Sequence, residues 1–114
     1  MGVSVRDENG VALANGLMED NWTVTGSATS TIAISQAAVA TREHHITQIS
    51  GYTSVAGKVA LLKDGATLKW QMILPVGIFD VVFSPPMAMT QNTTPSLTVT
   101  SSGAAIANMS GYVL

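Results

Sequence analysis

The chain has 114 residues and a mass of 11.8 kDa, which fits one domain and excludes two of ordinary size. It is 46% hydrophobic and only 11% charged, with a formal net charge of −2 and no cysteine. That excludes a disordered chain, a nucleic-acid-binding polycation, disulfides, thiolate catalysis and every cysteine-ligated metal site. A folded monomer of this mass exposes about 5,900 Å², or roughly one formal charge per 490 Å². Charge that sparse predicts a surface covered by a partner or by further copies.

The 13 Thr, 12 Val and 7 Ile against 3 Lys and 3 Glu suit pleated strands rather than solvated helices, so the expected class is all-β. In residues 1–30, Asn9-Gly10 and Asn15-Gly16 separate three apolar pairs: Val3 and Val5, Val11 and Leu13, Leu17 and Met18. The pattern reads as an irregular extended arm or as an edge hairpin turned at Asn9-Gly10. Arg6, Asp7, Glu8, Glu19 and Asp20 leave no apolar core for a secretory signal, and Arg6 stands where N-myristoylation requires Ser or Thr.

Thr31 to Gln36 reads as a strand with Ile32 and Ile34 on one face. His45 to Tyr52 is strand-like, but Ile46 and Ile49 have opposite parity, which requires either a bulge or cover on both faces. Lys58 to Met72 is a hairpin turned at Asp64-Gly65; a type I′ turn there sets Leu61 opposite Leu68 and Val59 opposite Trp70. Val59, Leu61, Leu68, Trp70 and Met72 are then expected on one face. Apolar stretches such as Met72 to Phe79 are broken by Pro75 and fall short of the ~20 residues of a membrane helix. Ile78 to Phe83 places Phe79, Val81 and Phe83 together, Ser96 to Ser101 alternates around Leu97 and Val99, and Ala105 to Val113 is a last strand interrupted by Gly111. Loops are expected at Gly57, at Ser84-Pro85-Pro86 and at Gln91 to Pro95. Turn signals at that spacing predict an antiparallel β-sandwich over residues 31–114, preceded by an arm or edge segment over 1–30.

Reactive constellations are few. His44-His45 beside Glu43 is the one cluster that looks like metal ligands, yet neighbours on a strand point to opposite faces and do not grip one ion. No Gly-x-Ser-x-Gly elbow, P-loop or dinucleotide fingerprint occurs. Proximity of Glu43, His44 and Asp80 is the only footing for an enzyme, and none is expected. Asp80 shares a side with Ile78 and Val82, which makes it either an exposed outer position or a subunit contact to Arg42 or a lysine of another copy. Trp70 and Tyr112 are assigned to packing, leaving Trp22 as the exposed aromatic anchor. The sequons at Asn21, Asn92 and Asn108 carry no weight without an export signal.

The run Thr41-Arg42-Glu43-His44-His45-Ile46-Thr47-Gln48-Ile49-Ser50-Gly51-Tyr52, followed by Gly57-Lys58, Leu62-Lys63-Asp64-Gly65, Phe83-Ser84-Pro85 and Asn108-Met109-Ser110-Gly111-Tyr112-Val113, resembles small virion proteins of tailed bacteriophages. The resemblance covers roughly the last three quarters of the chain and rests on an order of strands, turns and polar positions. It implies a capsid decoration, or cement, protein: a jelly-roll-like β-sandwich, commonly a homotrimer, on the outer surface of the head. The implied partners are the major capsid protein and further copies of itself, with no nucleic acid, membrane, metal or cofactor. Its place is the virion exterior after synthesis in the host cytoplasm. The candidate capsid or subunit contacts are Val3, Val5, Arg6, Val11, Leu13, Leu17, Met18, Trp22 and Asp80. The alternative is a head-fibre or tail-associated module that binds host-surface glycans through Trp22 or residues near Gln91 to Thr94.

Overall fold

The computed structural model describes residues 20–114. These form eight strands, β1 (Asp20–Ala28), β2 (Ile32–Ser35), β3 (His44–Thr53), β4 (Val59–Asp64), β5 (Thr67–Ile73), β6 (Gly77–Ala88), β7 (Pro95–Val99) and β8 (Ala105–Val113). A front sheet in the order β1-β8-β3-β6 faces a back sheet in the order β2-β7-β4-β5. The chain is an all-β antiparallel sandwich, as expected from its branched residues and its turn spacing.

One relationship organises the connections. Each strand pairs antiparallel with the one the same distance from the other end: β1 with β8, β2 with β7, β3 with β6 and β4 with β5. The chain is thus one long eight-stranded hairpin, folded at Gly65 and rolled up until β3 meets β8 and β4 meets β7. Among the described residues the β4–β5 turn is the only hairpin within a sheet, and every other link crosses between sheets.

Large and small residues alternate across the facing sheets. The inner face of the back sheet carries the rows Ile34-Leu97-Leu62-Trp70 and Ile32-Val99-Ala60-Met72. The front sheet answers with Val24-Met109-Ile49-Val81 and with the small row Gly26-Ala107-Gly51, which ends at Phe79. A Cβ on Gly51 would stand 2.9 Å from the Phe79 ring, and one on Gly26 would stand 2.8 Å from Ile32 Cδ1. The glycines therefore make room for these side chains, and close packing leaves no slack for a methyl group. Ile46, Ile49, Leu62, Leu97, Val99 and Met109 are all at 0% exposure, each contributing about 1.5–3 kcal/mol relative to leaving the side chain in water.

Several local expectations are corrected. Residues 20–28, within the stretch expected as an arm or an edge segment, form the edge strand β1, which pairs with β8 along its whole length, since Trp22, Val24 and Gly26 alternate inward. The hairpin turns one residue later than its Asp64-Gly65 signal: Asp64 pairs with Thr67, and Gly65 holds φ 61° at the first central position. That glycine placement belongs to type II′ rather than I′. The slip reverses β4, so Ala60 and Leu62 face the core while Val59 and Leu61 face outward. Leu68 points away from the core and is 45% exposed. A bulge leaves Lys69 unpaired and restores Trp70 and Met72 to the inner side.

The opposite parity of Ile46 and Ile49 is resolved by a bulge at Thr47. Ser84-Pro85-Pro86 is not a loop but part of β6, where residues 83–86 arch past Thr47 between the Val82 and Met87 pairings; the Ser84-Pro85 bond is cis. Prolines are tolerated there because, among the described residues, β6 is the sheet edge and its outer side has no ladder to break. Gly111 does not interrupt β8.

Candidate contact surface

The two outer faces are built by the same alternation that builds the core. On the front sheet, cross-strand rows run Ile78-Tyr52-Ile106-Ser27, then Asp80-Ser50-Asn108-Thr25, then Val82-Gln48-Ser110-Thr23. On the back sheet they run Ala33-Thr98-Leu61-Gln71 and Ser35-Ser96-Lys63-Leu68, with Val59 beside Ile73. Each face thus carries a single formal charge in these rows, Asp80 in front and Lys63 behind. Hydroxyl, amide and aliphatic side chains make up the rest.

Large apolar side chains concentrate where the chain passes from β5 to β6. Ile73 is 74% exposed, Val76 59%, Ile78 81% and Val82 68%, and Ile106 adjoins them at 42%. Ile78, Val82 and Ile106 stand on the outer face of the front sheet and Ile73 on that of the back sheet, so both faces carry exposed aliphatics along this edge. Parity already set Ile78, Asp80 and Val82 on one side in the sequence; what it did not reveal is that β6 is an edge strand. That depends on long-range pairing with β3.

The opposite end of the front sheet holds most of its ionised groups. Arg42 Nη1 lies 3.2 Å from Asp20 Oδ2, and Nη2 donates to the Val113 carbonyl at 3.3 Å. The His45 ring stacks on Tyr112 at 5.1 Å with planes 4° apart. Its Nε2 lies 3.0 Å from Glu43 Oε1 with no hydrogen bond between them. His44 points the other way, 1% exposed, with Nε2 2.8 Å from the Ala37 carbonyl. No group of three metal-ligating side chains occurs among the described residues.

The candidate contacts fall into three sets. Val3, Val5, Arg6, Val11, Leu13, Leu17 and Met18 lie outside the described residues. Trp22, expected as an exposed anchor, turns inward: it is half-buried, packs on the core and meets His44 edge-on. Asp80 is exposed on the outer face, where Gln48 Nε2 donates to its Oδ1 at 2.7 Å. Arg42, considered as its partner from another copy, is engaged by Asp20 within the chain. Asp80 pairs in register with Ser50, six positions along β3 from His44, so at ~3.3 Å per residue the strand separates them by roughly 20 Å. Their side chains also project from opposite faces, so the structure does not bring Glu43, His44 and Asp80 together.

The loop from Gln91 to Thr94 spends its polar groups internally. Gln91 Nε2 donates to the Thr41 carbonyl at 2.7 Å, and Thr41 N–H donates to Asn92 Oδ1 at 2.6 Å. Asp64, read from sequence only as a turn residue, anchors this loop: its Oδ2 accepts from Thr90 N–H at 2.9 Å and Thr90 Oγ1 at 2.7 Å, and its Oδ1 accepts from Thr93 Oγ1. Burial pushes the carboxyl up, but the hydrogen bonds from Thr93 and Thr90 and the charge of Lys69 outweigh it and hold Asp64 below the usual carboxylate range.

No protein-family model matches the chain, and no curated protein or solved structure matches it significantly.

Proposed function

We propose that this chain is a structural virion protein that binds the outer surface of an assembled phage capsid and stabilises the lattice, acting as several associated copies, a trimer by the resemblance of its sequence. The observation that supports this best is the composition of the exterior: two broad outer faces with one formal charge apiece in their rows, and the exposed apolar group Ile73, Val76, Ile78 and Val82. Such a surface gains little from water and much from contact, at about 25 cal/mol per Å² of apolar area buried before ordering costs. A protein that binds the assembled lattice and not its free subunits stabilises the lattice by mass action, and many equivalent copies multiply the effect.

The purified full chain is to be mixed with heads that lack it, with binding read by co-sedimentation and head stability by the temperature at which packaged DNA escapes. Saturable binding with later escape supports the reading. Heads that neither bind the chain nor gain stability refute it.

A further inference from the structure

We propose that Thr41 and Asn92 form a strained latch at one end of the sandwich, that Asp64 holds it shut, and that a proton on Asp64 releases it. This inference concerns the chain by itself and stands apart from the capsid reading.

The latch joins the β2–β3 link to the β6–β7 link. Thr41 holds φ 63° and Asn92 φ 64°, in the left-handed region that L side chains seldom adopt and β-branched ones least of all. Each loop keeps the other there. Thr41 N–H donates to Asn92 Oδ1, Gln91 Nε2 donates to the Thr41 carbonyl, and Asn92 N–H donates to the Arg42 carbonyl at 3.2 Å. Such backbone persists only where its surroundings over-determine it. Packing contributes little here, because Thr41 and Asn92 are exposed and residues 37–43 place no side chain in the core.

Asp64 lies at the root of the grip. Its carboxylate accepts from Thr90 N–H, Thr90 Oγ1 and Thr93 Oγ1, on either side of Gln91 and Asn92, while Gly65 N–H donates to the Thr94 carbonyl at 3.1 Å. The residues that hold Thr41 are thus set by a carboxylate of the back sheet. Beyond Thr41, Arg42 reaches Asp20 and the Val113 carbonyl in the front sheet. A change at Asp64 therefore passes through residues 90–93 to Thr41 and on to the start of β1.

Protonation turns one acceptor oxygen into a hydroxyl and removes the charge that strengthens the remaining bonds. Lys69 of β5 is the charged group that acts on Asp64; Lys63, its neighbour on β4, projects from the outer face, and residues 89–95 carry no ionisable side chain. Asp20, Arg42 and Glu43 lie on the far side of the latch. Opening leaves the core rows in place, which makes it a local event rather than unfolding.

The test is amide hydrogen exchange by NMR on the full-length chain at neutral pH, comparing wild type with Asp64→Asn and with Thr90→Val/Thr93→Val, which keeps the carboxylate. In wild type, Thr41, Arg42 and Asn92 are expected to exchange at least about tenfold faster than Ile46, Leu97 and Met109, as separate opening requires. Each variant should speed all three latch amides by about a further tenfold. Adding Thr41→Gly to Asp64→Asn should slow them about threefold, because glycine closes the latch without the side-chain penalty. As wild type is acidified, the Thr41 and Asn92 amide shifts should follow the Asp64 carboxyl carbon, and they should do so in Asp20→Asn as well. Latch amides that exchange as slowly as the core, Thr41 and Arg42 unmoved in both variants, faster exchange with Thr41→Gly, or shifts that follow Asp20 would each overturn the inference. The acid titration of wild type keeps the question decidable if a variant misfolds.

Discussion

Trp22 meets His44 edge-on, ring centres 5.4 Å apart and planes at 88°, although the two residues belong to β1 and β3 with β8 between them. Gly111 of β8 makes this reach possible. It pairs with both Trp22 and Ile46, and a Cβ there would stand 2.8 Å from Trp22 Cζ2 and collide with the His45 carbonyl. The indole lies in the notch left by the missing side chain and ties the edge strand to the middle of the sheet.

Two substitutions probe that notch. Trp22→Ala removes the ring from the core and is expected to cost about 2–4 kcal/mol in urea unfolding. Gly111→Ala is expected to cost about 1–3 kcal/mol or more, because the nearest obstacle is backbone and does not yield as a flexible side chain does. A Gly111→Ala protein as stable as wild type would show that the indole does not occupy the notch.

Asp64 makes stability depend on acidity. Its carboxyl is held below its ordinary value in the folded chain. Its contribution is therefore complete above the unfolded carboxylate pKa, about 3.9, and is lost as pH falls through the lower folded value. Melting temperature is expected to fall between about pH 5 and pH 2. Asp64→Asn should be about 1–3 kcal/mol less stable at pH 7, since it cannot accept from Thr90 and Thr93 as the carboxylate does, and should show a shallower acid limb. An identical pH profile in both proteins would assign the acid sensitivity elsewhere.

How much was legible in the sequence is clearest at the hairpin. Strand composition and the Asp-Gly signal located it, but not which two residues occupy the turn, and a slip of one exchanges the faces of β4. Leu62→Ala is accordingly expected to cost about 2–5 kcal/mol. Leu61→Ser, one residue away, should cost under about 1 kcal/mol. The reverse order would restore the earlier register. Short-range alternation also located Ile34, Phe79, Leu97 and Val99 in the core, with Ile32 packed against it. The edge position of β6, the inward turn of Trp22 and the anchoring of residues 90–93 by Asp64 arise from partners 20 or more positions away, which local pattern does not encode.

Sparse charge predicts how attachment responds to salt. With one formal charge in the rows of each outer face, binding to heads should change less than about threefold between roughly 0.05 and 0.5 M sodium chloride, a range over which the screening length shrinks several-fold. A steep loss of binding with salt would point instead to Arg42, the lysines or the charged residues of the N-terminal segment.

The most direct measurement is an electron cryo-microscopy reconstruction of heads incubated with the full-length chain. Sandwich-shaped density is expected on the outside of the shell at symmetry-equivalent positions, with several copies in mutual contact and their apolar β5–β6 ends in shadow from solvent. Shells with bare exteriors at saturating protein, or density confined to a fibre or tail, would contradict the account.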